Sequence, residues 1–294
     1  MTDRPTSAAY LASGFRDVDG TGELATFRGC LQYLEELPTV QAYKEQALNR
    51  LQLGDGMTVV DVGCGLGFDV ARMAAAVGRT GRAVGVDPSA ALLRAASTNP
   101  RVTLPNVAWV LGTGENIGLR AEVVHAVRVD RTLQHVADPR RVVEEMYRVL
   151  RPAGHIACAE PDWGTFVVTS GQREETRRIA DFWCDSFTSG WIGRRLTPLL
   201  RRAGFVDVDV TGHLLVAEGV DAIDRVFDVK RTVARVSASA GDTSFGQRWW
   251  DALCTDEWPM AGVTVFLATG RKPAGESTLD AALGHAVAGS ASAD

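Results

Sequence analysis

No apolar run among the 294 residues comes near the roughly 18 that a membrane-crossing helix needs, and the first residues show no charged-then-apolar leader. A membrane is not an expected partner, and the chain is expected in the cytoplasm. Cysteine is sparse: five residues, at 30, 64, 158, 184 and 254, with no C-x-x-C pair. That spacing suggests neither a disulfide framework nor a zinc site, so no metal is expected. Basic clusters are missing as well. The Arg pairs at 140–141, 177–178, 194–195 and 201–202 are scattered over a chain of net charge −5, which argues against nucleic acid as substrate or partner. The dinucleotide fingerprint G-x-G-x-x-G also fails, because the third residue after Gly65 is Phe68.

What the chain does have is an ordinary globular composition, 46% hydrophobic and 23% charged, and one dense motif. Asp61-Val62-Gly63-Cys64-Gly65-Leu66-Gly67 follows the apolar Val59-Val60 and opens a helix near Phe68. Closely spaced glycines let backbone N–H groups approach a ligand, and the helix N-terminus behind them offers free donors. Twenty residues after Gly67, a second apolar strand ends in Asp87, placed to accept ribose hydroxyls. A carboxylate two residues before the first glycine would sit badly against a pyrophosphate. It suits a ligand carrying an ammonium and a sulfonium, such as S-adenosylmethionine (SAM). The motif resembles the acidic-x-G-x-G-x-G pattern of class I methyltransferases.

Strand and helix patterns alternate from residue 57 onward, which implies a parallel sheet with right-handed crossovers. Strands are expected at 59–62, 83–87, 107–110, 123–129, 156–159, 206–210 and 263–268, the last antiparallel. Two helices broken at Pro38 precede them. The fold expected is therefore α/β: a doubly wound, seven-stranded, mostly parallel sheet of the class I methyltransferase, Rossmann-like type, with helical caps. In domain terms, 1–13 is a disordered N-terminus, 14–56 a helical cap, and 57–272 the SAM-binding domain with a helical insertion about 212–260. The stretch 273–294, rich in Ala, Gly and Ser, is a flexible tail with a short helix at 279–283.

Three further runs extend the resemblance. GVDPS around Asp87, HVADPRRVVEEMYRVLRPAGH from His135, and VVDVGCGLG look like the SAM-dependent enzymes related to ubiquinone/menaquinone C-methyltransferases. Arg131-Thr132-Leu133-Gln134-His135, Glu160-Pro161-Asp162-Trp163 and Gly190-Trp191-Ile192-Gly193 are similar to a narrower actinobacterial-type branch acting on small natural products. The resemblance implies cofactor contacts from Asp61, Gly63, Cys64, Gly65 and Gly67 at the methionine end, and from Asp87 and Pro88 at the ribose. Thr113, Gly114 and Glu115 fall at the adenine segment, where Thr113 replaces the family's usual acid. Arg128 and Arg131, at the end of the fourth strand, face the crevice where such sheets bind ligands. Arg131 could equally pair with Asp130. Lys44 or Gln41 could reach the SAM carboxylate, and solvated positions suit them as well.

Methyl transfer from a sulfonium is an in-line displacement that depends on positioning and exclusion of water. Where the acceptor must lose a proton, His135 is the leading candidate base, with Glu160 and Asp162 behind it. Each also has a plain structural role open to it, as cap, packing or turn residue. Tyr33, Trp163, Trp191 and Trp250 are candidate substrate contacts in an aromatic-rich cap, against the simpler role of core packing. Aromatic faces stabilise cationic character, which favours transfer to carbon or nitrogen of a small aromatic or terpenoid secondary metabolite, an indole among them. The alternatives are an O-methyltransferase, a quinone C-methyltransferase, or a SAM-binding protein that transfers nothing. Self-association into a homo-oligomer is also open to it, since pre-core helices exchange between subunits in related enzymes.

Overall fold

The computed structural model of the protein describes residues 10–274. One seven-stranded sheet crosses it in the order β3-β2-β1-β4-β5-β7-β6. β1 (Thr58–Val62), β2 (Arg82–Asp87), β3 (Val107–Leu111), β4 (Val124–Asp130) and β5 (Leu150–Val168) are parallel. β6 (Val206–Glu218) and β7 (Met260–Arg271) pair antiparallel, with β7 inserted between β5 and β6. The strand order reverses between β1 and β4, so their carboxyl ends open a crevice. This is the doubly wound, mostly parallel sheet that the sequence pattern implies. Val59, Val60 and Val62 are all buried because helices cover both faces of the central strand.

Among the described residues, four helical segments precede β1: α1 (Leu11–Gly14), α2 (Val18–Thr21), α3 (Leu24–Glu36) and α4 (Pro38–Arg50). Phe27, Cys30 and Leu34 of α3 share one buried face at helical spacing. Pro38 begins α4, where a missing N–H costs nothing. α5 (Phe68–Ala76), α6 (Ala90–Ser97) and α7 (Pro139–Val149) occupy the parallel crossovers. Asp138 caps α7 by accepting the N–H groups of Arg140 and Arg141. α8 (Arg173–Asp185) and α9 (Leu196–Arg202) follow β5, and α10 (Val220–Phe227), α11 (Val229–Ala240) and α12 (Thr243–Thr255) separate β6 from β7. No helix among the described residues is long and apolar enough to cross a membrane.

Four sequence expectations need correction. β5 was expected over four residues, yet it continues past the sheet's centre because Val167 and Val168 find new partners in Gly262 and Ala261 after a bulge. β6 likewise runs on to Glu218, paired with β7 down to Met260, so the helical insertion begins at α10 rather than near residue 212. α8, Arg173–Asp185, has no counterpart among the elements expected from sequence. Residues 10–13, assigned to a disordered terminus, are folded: the Tyr10 hydroxyl bonds Thr232 at 2.9 Å and the Leu11 N–H donates to Asp228 at 3.0 Å. The rest of that terminus and of the tail, including the helix expected at 279–283, lies outside the described residues.

Candidate active site

The glycine turn links β1 to α5. Gly63 and Gly67 both adopt positive φ (71° and 76°), a region that side chains resist. A Cβ at Gly63 would strike Thr132, and one at Gly67 would strike Trp109. The turn is thus bare by necessity, and Gly63, Cys64 and Gly65 line a cavity of about 420 Å³. Gly67 does not line it; it shapes the turn and starts α5. Asp87, Pro88, Thr113, Gly114 and Glu115 line the same cavity, as expected for a nucleoside site. Asp87 accepts the Gly65 N–H at 2.8 Å and the Ser89 N–H at 2.9 Å, so it ties the turn to the end of β2. Burial raises its pKa against those two donors. Ser89 caps α6, its hydroxyl accepting the Leu92 N–H. Bare backbone, a helix N-terminus and two buried carboxylates fit the adenosyl and amino-acid parts of SAM.

Beneath the glycine turn lies a buried network of charges. Arg128 Nη1 sits 2.6 Å from Asp69 and 3.5 Å from Asp61, and Nη2 sits 3.0 Å from Asp130. Lys44 pairs with Asp69 at 2.7 Å and Glu35 at 2.9 Å, and Arg72 bonds both of those acids. Gln41 is spent on Glu35 and Arg72, and Lys44 gives two of its three N–H groups to Glu35 and Asp69. Of the two, only Lys44 lines the cavity. Burial pushes the Asp61 carboxyl up to about 7 despite Arg128. Burial acts on Asp69 too, but Arg128, Lys44 and Arg72 together hold it well below the usual carboxylate range. The Tyr43 hydroxyl donates to Asp130 at 3.1 Å and closes the network.

The other half of the cavity is aromatic. Trp163 stacks on Phe187 with centroids 4.7 Å apart and planes 15° apart, while Trp183 meets both edge-on. Phe15, Phe227, Leu215, Val263 and Val265 complete the wall. Trp163 is fixed by an indole N–H bond of 2.7 Å to Gln134. Of the four expected substrate contacts, only Trp163 lines the cavity. Trp191 is half exposed under Arg194, Tyr33 stacks with Arg225, and Trp250 packs on the core beside Lys230. Their helical or loop positions turn them to other surfaces.

The candidate bases divide in the same way. Glu160 is fully buried and accepts the N–H groups of Thr132, Leu133 and Gln134. Burial raises it to about 8, but it caps the turn after β4 and does not line the cavity. Asp162, also fully buried, binds the Arg194 guanidinium and the backbone N–H groups of Arg194 and Gly164. Both acids are occupied with backbone and ion-pair contacts, which removes them as catalytic candidates. His135 does line the cavity, between Phe15 and Phe187 at centroid distances of 5.5 and 5.6 Å. Burial, helped by Arg16 and Arg131, lowers its pKa to about 3, so the ring is neutral and only weakly basic.

Sequence reasoning missed the N-terminal strap. Leu11, Phe15, Arg16, Asp17, Val18 and Asp19 all line the cavity. Asp19 accepts from the Ser89 hydroxyl and from the N–H groups of Ala90 and Ala91, so the strap is pinned to the start of α6. The signal available was the apolar Tyr10-Leu11-Ala12 and Phe15, followed by the Asp17 cap of α2.

A crevice of this build, at the reversal point of this sheet, defines a class I SAM-dependent methyltransferase. A family model described as a methyltransferase domain matches residues 60–158. A protein of transposon TN4556 from Streptomyces fradiae, described only as an uncharacterized 37.1 kDa protein, is 34% identical over 242 residues, covering 81% of this chain and 70% of its own. The chain belongs to the class I SAM-dependent methyltransferases, in one family with that Streptomyces protein. A demethylmenaquinone methyltransferase of Geobacillus sp. (strain WCH70) is 26% identical over 187 residues, or 58% of this chain and 80% of its own. Haemonchus contortus phosphoethanolamine N-methyltransferase 2, solved with S-adenosyl-L-methionine, shares the fold at TM-score 0.58 and 14% identity, covering 92% of this chain and 61% of that one.

Proposed function

We propose that the enzyme methylates carbon or nitrogen of a small, flat, largely apolar acceptor, an aromatic or terpenoid secondary metabolite. The observation that carries this is the continuity of the aromatic wall with the glycine turn inside one cavity. When bound, SAM supplies an electrophilic methyl group on a sulfonium. The chain's own residues then have three tasks. Asp61 and Asp87 would take the ammonium and the ribose hydroxyls. Trp163, Trp183 and Phe187 would hold the acceptor flat and keep water out, which supplies the proximity such a displacement needs. His135, neutral and buried, would hydrogen-bond the acceptor rather than act as a strong base. The acceptor must therefore be a good nucleophile as bound.

The similarity to a demethylmenaquinone methyltransferase favours a second reading, methylation of a quinone carbon. An acidic chain without a basic face suits a small-molecule acceptor in the cytoplasm better than nucleic acid. The test is incubation of the purified protein with SAM and an extract of small metabolites, read by mass spectrometry. A methylated product and stoichiometric S-adenosylhomocysteine are expected. A demethylquinone as the sole acceptor would select the second reading, and SAM binding without product from any acceptor would end both.

A further inference from the structure

We propose that the acceptor carries an anionic oxygen, a carboxylate or an ionised phenol or enol, and that Arg131 receives it. The proposal rests on the reading of the aromatic half as the acceptor chamber. Arg131 directly follows β4 with φ 53° and lines the cavity, its side chain 15% exposed. Its buried Nε–H has no hydrogen-bond partner, and the nearest carboxylate oxygen, Asp130 Oδ1, is 3.5 Å away. Lys44 and Arg128, the other buried cations here, hold carboxylates at 2.6–3.0 Å. A buried guanidinium N–H left without an acceptor is costly unless a ligand supplies one.

Two anions could do so, the methionyl carboxylate of the cofactor or a group on the acceptor. Charge separates them. At the methionine end Glu35, Asp61, Asp69 and Asp130 face Lys44, Arg72 and Arg128, four acids against three bases. That set is one charge negative, and SAM, with ammonium, carboxylate and sulfonium, is one charge positive. With Arg131, which also faces Asp130, the set is neutral, so bound SAM leaves one positive charge that an anionic acceptor would balance. Position agrees. Arg131 is close enough to His135 to help depress its pKa, and His135 stands in the aromatic half. In that half His135 Nδ1 and the Trp183 indole N–H are also buried without partners. An anionic oxygen on a flat molecule would accept the Trp183 N–H, and the His135 Nδ1–H in the tautomer that carries its proton there.

The experiment uses the full chain saturated with S-adenosylhomocysteine, titrated calorimetrically with 2-naphthoate, its methyl ester, and 2-naphthol on either side of its ionisation. At least one anion should bind tenfold or more tighter than its neutral counterpart. A preference confined to naphthoate assigns a carboxylate acceptor, and one extending to naphtholate a phenolic one. Arg131→Gln should erase the preference and Arg131→Lys, which keeps charge but loses the planar fork, should keep part of it. Affinity for S-adenosylhomocysteine should change less than twofold in both, which also shows that the variants fold. No preference for an anion in the unaltered protein overturns the proposal. So does a tenfold loss of S-adenosylhomocysteine affinity in Arg131→Gln with the preference intact, which gives Arg131 to the cofactor. Failure of S-adenosylhomocysteine to bind the unaltered protein defeats the cofactor reading itself, a separate result.

Discussion

The two halves of the cavity are built differently. The cofactor half comes mostly from short stretches of one sheet: the turn after β1, the end of β2, the loop after β3 and the end of β4. Its glycines are forced by backbone geometry, and its charges are paired within the fold. The acceptor half is assembled from the N-terminal strap, α3, the start of β5's extension, α8, α10 and the β6–β7 ribbon. Its contacts bridge long sequence separations, as between Tyr10 and Thr232. The first half is therefore a property of the fold, and the second a property of this chain's packing. Damage to the first should reach stability as well as cofactor binding; damage to the second should stay with the acceptor.

The sharpest way to break that contrast is at Arg128. Arg128→Met leaves Asp61, Asp69 and Asp130 buried with one cation fewer. Removing one partner of a buried pair costs about 3–5 kcal/mol, which for a chain of this size lowers the melting temperature by roughly 10 °C. A calorimetric scan showing an unchanged melting temperature would mean the network does not bear on stability. Next in size is Asp87→Ala. Losing the ribose acceptor and the tie to Gly65 should weaken SAM at least tenfold, measured by titration calorimetry. Unaltered affinity would place the sugar elsewhere.

This division also accounts for what could be read from the chain alone. Asp61, Gly63 and Gly65 were legible as cavity residues because type and spacing place them in one strand-turn-helix unit, and Asp87 because it ends the next strand. Arg131 was legible both as a crevice residue and as a partner of Asp130, whose carboxylate lies 3.5 Å from its Nε. Glu160 and Asp162 were misread because sequence shows a carboxylate near the crevice and not what occupies it; backbone N–H groups and Arg194 do. Trp191 and Trp250 were misread because an aromatic-rich stretch does not say which face of each element turns inward. The strap was missed because its burial depends on Asp228 and Thr232, more than 200 residues away.

A smaller effect sharpens the electrostatic side of the comparison. In the free enzyme Asp61 titrates near 7 because it is buried. A bound ammonium favours its ionised form, so the complex holds Asp61 charged to lower pH than the free enzyme does. Binding therefore releases a proton around neutrality, and affinity falls as pH drops through 7. Between pH 7 and pH 6 the loss should be roughly fivefold, following the fraction ionised. Affinity for S-adenosylhomocysteine measured across that range, in wild type and Asp61→Asn, checks it. The variant should be flat, and a flat wild type would separate Asp61 from the ammonium.

The smallest expected effect is at Trp191, and it tests where the acceptor half ends. Trp191 lies close in sequence to Phe187, which lines the cavity, yet its ring is half exposed with the Arg194 guanidinium 4.7 Å above its centroid. An exposed cation–π contact contributes about 0.5–1 kcal/mol, and Arg194 keeps its bonds to Asp162 when the ring is removed. Trp191→Ala should therefore move stability by no more than about 1 kcal/mol and the acceptor KM by less than twofold. Trp163→Phe, a gentler change inside the wall, gives up the bond to Gln134 and should raise that KM severalfold while SAM affinity holds. If the exposed ring proves to matter as much as the buried one, the acceptor site extends out past η-turn residues Gly193–Arg195 to the surface. The line drawn here between a wall that binds and an aromatic that merely packs on an arginine would then be wrong.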